Sequence, residues 1–150
     1  EGGYDRTGAR TPMQWDHGKN YGFSTAPASR LYTQQDTSVD APTAADQMER
    51  DGSLWREVQA LIKVRRAHPA LCATGTIEFV YCAPKQYPLV YLRTKGEERV
   101  LVVLNPSQAE AVCPCPYVLG RPVYTLGRAV QFEQGVLRVP GESAGFFLVR

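Results

Sequence analysis

Arg10-Thr11-Pro12-Met13-Gln14-Trp15-Asp16 places a guanidinium, an amide, an indole and a carboxylate within one short run near the start of the chain. A guanidinium offers a rigid fork of donors to hydroxyls and carboxylates. Aromatic faces stack on pyranose rings, while amide and charged groups hydrogen-bond the hydroxyls. Around this run, residues 1 to about 40 show neither helical nor strand periodicity and are rich in Gly, Pro, Ser, Thr, Asp and Asn. So long an irregular stretch is functional or disordered. Tyr4, Trp15, Tyr21, Phe23 and Tyr32 argue for an ordered, aromatic-rich loop of the kind a sugar site uses. Gln14 is expected to hydrogen-bond loop backbone. Asp5, Asp16, Asp36, Asp40 and Asp46 read as capping, turn or loop residues; for Asp16, contact with substrate hydroxyls is the alternative.

The other reactive side chains suggest less. Cys72, Cys82, Cys113 and Cys115 fit no zinc spacing and contain no C-x-x-C. Cys113 and Cys115 are too close for an easy mutual disulfide, and Pro114 is expected to break regular strand pairing between them. All four read as free thiols of a reducing, cytoplasmic protein. His17 and His68 are far apart, and His68, before Pro69 at a helix end, is expected to serve as a cap or dipole partner. No metal site and no cofactor is expected. A net charge of +2 argues against nucleic acid and anionic membranes. Lys63, Arg65 and Arg66 read as a solvated helix face, and no apolar run approaches a membrane span.

The elements that position these groups follow from patterning. Pro42 and Thr43 or Asp40 start a short helix from about Thr43 to Arg50. Asp51-Gly52 interrupts it, and Ser53 caps a longer helix, Leu54 to about Ala67, ended by Pro69. Leu54, Val58, Leu61, Ile62 and Arg65 share a stripe, apolar through Ile62, and Trp55 extends what reads as a buried face. From about Leu71 the pattern becomes all-β. Strands are expected at Thr76 to Tyr81, Leu89 to Arg93 and Arg99 to Leu104, with a hairpin turn at Lys95-Gly96-Glu97-Glu98. Shorter strands are expected near Glu110 to Cys113, Val123 to Leu126, Ala129 to Phe132, Gly135 to Val139 and Gly145 to Val149. Many short strands with frequent turns imply an antiparallel sandwich. The shift in composition divides the chain into residues 1–70 and 71–150.

Several segments, taken in order, resemble the α-glucosidase branch of the α-amylase superfamily, glycoside hydrolase family 13. They are Arg10 to Trp15, Tyr21-Gly22-Phe23-Ser24, Asp46-Gln47, Ser53-Leu54, Leu61 to Arg65 and His68 to Leu71. The resemblance implies a mixed α and β fold: the last loop and helix of a (β/α)8 barrel, followed by an antiparallel β-sandwich C-terminal domain. It implies a retaining mechanism on α-linked glucosides, with two carboxylates about 5 Å apart. The family's catalytic carboxylates lie in earlier motifs that do not occur here, so the chain is expected to be an inactive C-terminal portion. Arg10 matches the family arginine that helps hold the glucosyl unit; bracing of the loop through backbone carbonyls is the alternative. Trp15 either supports the loop from beneath or stacks toward the leaving sugar. The expected substrate-binding set is Arg10, Trp15 and Asp16, with α-linked glucose oligosaccharides as partners in the intact enzyme.

Other functions stay open. A glucosyl transferase or isomerase of the trehalose synthase type shares this loop and differs in how water is excluded. A non-catalytic carbohydrate-binding module could present Tyr81, Tyr87, Tyr91, Tyr117 and Tyr124, although their alternation suggests packing roles. A scaffold role suits the β part, which shows no convergent polar cluster. The stripe on the longer helix evolved, on this reading, to pack on a barrel, which predicts self-association of the chain, and the Arg10 loop is expected to be mobile or held by non-native contacts.

Overall fold

The computed structural model describes residues 11–33 and 35–149. Arg10, Tyr4 and Asp5 therefore lie outside the described residues. The rest is mixed α and β and falls into two compact units, one ending at Ala60 and one starting at Leu61.

In the first unit an irregular loop contains 3-10 turns at Lys19–Gly22 and Ala28–Arg30, and leads into helix α1, Ala44–Glu49. Thr43 caps α1: its backbone is extended and its hydroxyl accepts from the Asp46 N–H at 3.1 Å. The Arg56 guanidinium donates to the carbonyls of Met48 and Glu49, satisfying acceptors that the last turn of α1 leaves free. Gly52 adopts a positive φ of 68° between the helices. Ser53, fully buried, accepts from the Arg56 N–H at 3.3 Å and donates to the Gln47 carbonyl.

Helix α2, Leu54–Ala67, begins in the first unit and ends in the second. No residue on it is buried. Leu54 is 74% exposed, Trp55 41%, Val58 44% and Ile62 47%. The expectation that Trp55 extends a buried face is thus corrected. The 3.6-residue spacing does define a stripe, but periodicity says which side chains share a face and not what covers it.

In the second unit eight strands form two antiparallel sheets. β1 (Thr76–Tyr81), β2 (Leu89–Lys95), β3 (Glu98–Asn105), β8 (Ser143–Val149) and β5 (Leu119–Leu126) stand in the order β1-β2-β3-β8-β5. β4 (Ala111–Pro114), β7 (Val136–Val139) and β6 (Gln131–Glu133) form the second sheet in the order β4-β7-β6. Lys95 pairs with Glu98 across Gly96-Glu97, and Gly96 supplies the positive φ the tight turn needs.

Strand alternation divides the apolar residues between two clusters. Leu101 and Val103 join Val90, Leu92 and Phe147 of their own sheet against Cys113, Leu137 and Val139 of the other. Val100 and Val102 point the opposite way and are buried with Ala70 of the 3-10 turn Pro69–Leu71. Both faces of β3 are covered, which explains its unbroken apolar run. Asn105 ends that run as a buried hub. Its amide donates to the carbonyls of Ala109, Val139 and Pro140, and its oxygen accepts from Ser107.

Two local expectations need correction. Pro114 does not break the pairing: it faces Val136 at the end of edge strand β4, and the Cys115 N–H continues to the Gly135 carbonyl. An edge strand tolerates proline because one side of its backbone has no ladder to complete. The His68 side chain makes no capping hydrogen bond to the 3-10 turn it precedes. Its Nδ1 lies 2.8 Å from Glu98 Oε1, while Glu98 Oε2 accepts from the Ala70 N–H at 2.8 Å.

Candidate functional site

The site is built on the first turn of α1. The N–H groups of Ala44 and Ala45, which have no partner within a helix, donate to the carbonyls of Gln14 and Trp15, each at 2.9 Å. The Gln14 side chain donates to the Pro42 carbonyl at 3.0 Å, an amide holding loop backbone. His17 Nε2 lies 2.8 Å from Asp46 Oδ2, an exposed pair that ties the loop to α1 a second time. The Asp46 carboxyl is held below the usual aspartate value, first by Thr43 beside it and, against the opposing effect of burial, by His17 and Arg50.

Beyond Trp15 the chain closes on itself. The N–H groups of Trp15 and Asp16 donate to the Tyr21 carbonyl at 2.8 and 3.4 Å. Asp16 Oδ1 accepts from the Gly18 N–H at 2.7 Å, an aspartate turn. Asn20 and Tyr21 both take left-handed backbone, with φ of 50° and 52°. The Asn20 amide donates to the carbonyls of Ser24 at 2.7 Å and Ala26 at 2.8 Å, and the Asn20 carbonyl accepts from the Gln35 side chain at 2.6 Å. From Gln14 onward, then, the loop is held by bonds within its own unit. Physically, the free donors at the start of α1 and the amides of Gln14, Asn20 and Gln35 supply what an irregular backbone requires.

The structure brings Trp15 and Asp16 together on this framework. Trp15 is 52% exposed. Met13, Phe23 and Tyr32 are exposed as well. Asp36 serves local structure: it accepts from the Ser38 hydroxyl and N–H, which hold its carboxyl low. Asn20 was not singled out by its residue type. The signal that could have found it is an asparagine two positions before Gly22, since asparagine is the non-glycine residue most at ease in left-handed backbone.

In the second unit, four of the five tyrosines considered above pack against apolar or aromatic neighbours. Tyr81 and Tyr117 pack on one cluster and Tyr91 on the other, while Tyr124 meets Phe146 ring to ring. Tyr87 is exposed. Among the described residues no group of His, Cys, Asp or Glu could hold a metal ion, and no helix is long and apolar enough to cross a membrane.

The sequence pattern described as the α-amylase catalytic domain matches residues 2–74. A glucan 1,6-α-glucosidase of Streptococcus pneumoniae is 31% identical over 105 residues, which is 70% of this chain and 18% of that protein. A trehalose synthase/amylase of Mycobacterium tuberculosis is 41% identical over 78 residues, 49% of this chain and 13% of that protein. This chain therefore spans less than a fifth of these relatives. Among solved structures, the trehalulose synthase MutB of Pseudomonas mesoacidophila MX-45 superposes with a TM-score of 0.78 at 24% identity, over 95% of this chain and 25% of that one. That last likeness is one of fold. The chain belongs to the α-amylase family, among its α-glucosidase-like and trehalose-synthase-like members.

Proposed function

We propose that this chain supplies the substrate loop and the closing β-domain of a retaining enzyme that acts on α-glucosidic linkages of oligosaccharides. The observation that carries the reading is the loop around Trp15 and Asp16, tied to α1 through the Gln14 and Trp15 carbonyls within the stretch that matches the α-amylase catalytic domain. Trp15 stacks on the leaving sugar and Asp16 accepts from its hydroxyls through the oxygen that Gly18 leaves free. Arg10 holds the glucosyl unit. Residues 71–150 act as a scaffold.

The chain alone is inactive on this reading. The motifs that carry the family's catalytic carboxylates do not occur in it. No nucleic acid and no membrane takes part, and four cysteines without a disulfide suit the cytoplasm. A trehalose-synthase type of transfer is the second reading, supported by the 41% identity to the mycobacterial protein.

The test is glucose release from a chromogenic α-glucoside by this chain and by the natural protein that carries it. Turnover is expected only in the natural protein. Turnover by the chain alone would overturn the assignment of these residues to binding and scaffold roles, and maltodextrin binding by residues 71–150 would favour a carbohydrate-binding module. Conversion of maltose to trehalose in place of glucose release would select the second reading.

A further inference from the structure

The left-handed pair Asn20–Tyr21 is the conformational oddity of the loop. Asparagine enters that region at small cost, but tyrosine does so only when its surroundings impose it. Here the surroundings do. Asn20 is gripped through its amide by the carbonyls of Ser24 and Ala26 and through its own carbonyl by the Gln35 side chain and the Phe23 N–H. The consequence falls on the next residue. With Tyr21 turned left-handed, its carbonyl meets the N–H groups of both Trp15 and Asp16. Gly22, at φ 72°, then comes so close to the Asp16 carboxylate that a Cβ there would lie 2.9 Å from Oδ2. Ordering of two side chains that meet a sugar is thus achieved from behind, by an amide that faces backbone and not substrate.

We infer that Asn20 is the positioning residue of this loop: it locks the left-handed turn that sets Trp15 and Asp16 for the leaving sugar of an α-glucoside. The inference rests on the function proposed above. Asn20 touches no substrate and acts through Trp15 and Asp16.

The experiment uses the natural protein with Asn20→Gly, which accepts positive φ but lacks the amide, and Gln35→Ala, which leaves Asn20 in place and removes its outer hold. Amide hydrogen exchange at Trp15 and Asp16 is expected to accelerate in both. The KM for maltose and isomaltose is expected to rise about tenfold, the worth of one lost polar contact, with kcat changed less. Adding Asn20→Gly to Trp15→Ala is expected to cost less than Asn20→Gly costs alone, because the share that acts through Trp15 is already lost and only the share through Asp16 remains. Unchanged exchange at the two amides, or full additivity with Trp15→Ala, would overturn the inference while turnover by the unmodified protein left the functional reading intact. Absence of α-glucoside turnover in the unmodified protein would remove that reading, and this inference with it.

Discussion

Burial decides the chemistry of individual thiols in this protein. Cys113 and Cys115 lie in the core between the two sheets, whereas Cys82 is exposed and Cys72 is half-buried. Burial, reinforced by the neighbouring Cys115 sulfur, pushes the Cys113 thiol up to about 11, and burial likewise raises Cys115. A thiol reacts as its thiolate, so both core cysteines are inert at neutral pH. Iodoacetamide at pH 8 is expected to label Cys82 first and Cys72 next, and to leave Cys113 and Cys115 unmodified until the β-sandwich unfolds. Peptide mapping reads this directly, and early labelling at Cys113 would contradict the burial. In the sequence the pair stood out as unusual, but its inertness was not visible there. Two cysteines separated by one residue point to the same side of a strand, and only the second sheet turns that side into an interior.

The segment between α2 and β1 shows how an element is held where its own backbone cannot hold it. Arg93, on β2, donates to the carbonyls of Ala70 at 3.1 Å, Cys72 at 2.6 Å and Gly75 at 3.1 Å. Glu98, on β3, binds His68 and the Ala70 N–H. A Cβ on Gly75 would lie 2.3 Å from the Ala70 carbonyl oxygen, so the segment closes tightly enough to require glycine. Removing Arg93 would leave three carbonyls without their charged donor. Arg93→Ala is expected to cost about 3 kcal/mol in chemical denaturation, and Arg93→Lys to restore only part of it, since an ammonium cannot span the same acceptors.

Glu98 adds a pH dependence. Burial alone would raise its carboxyl, but the Ala70 N–H and His68 outweigh that and hold it below the usual value of 4.5. A depressed carboxylate stabilises the fold above its ordinary value, and the contribution is lost as the pH falls through the depressed one. The gap in melting temperature between the unmodified chain and Glu98→Gln is therefore expected to be full at pH 7 and to close below about pH 4. A gap independent of pH would contradict it. The strands that this clamp joins were legible in the sequence, because alternation and the Gly96 turn mark them locally. The clamp was not: Arg93 and Glu98 look like ordinary strand-edge charges until pairing brings them to residues eighteen to thirty positions away. The same holds for the loop, where Trp15 and Asp16 announced themselves by type, but Asn20 became visible only through the carbonyls it grips.

At the scale of the whole chain, the apolar residues of α2 contrast with those buried between the two sheets. Leu101, Val103, Leu137 and Val139 lose all contact with water, as a completed core requires. Leu54, Trp55, Val58 and Ile62 on α2 keep between 41% and 74% of their exposure although their spacing makes them one stripe. A contiguous apolar stripe on a soluble chain favours association, at roughly 25 cal/mol for each Å² removed from water. We therefore expect the isolated chain to self-associate through this stripe at concentrations of tens of micromolar, with light scattering reporting a mass above 16.6 kDa. Leu54→Glu with Ile62→Lys should return it to a monomer. The same pair should leave the melting temperature of the β-sandwich unchanged, because neither side chain belongs to its buried clusters. A monodisperse monomer of the unmodified chain would show that the stripe is satisfied by solvent alone. Association that survives both substitutions would place the contact elsewhere, and the edge strands β1 and β5, whose outer backbone has no partner within the sheet, would then be the next surfaces to substitute.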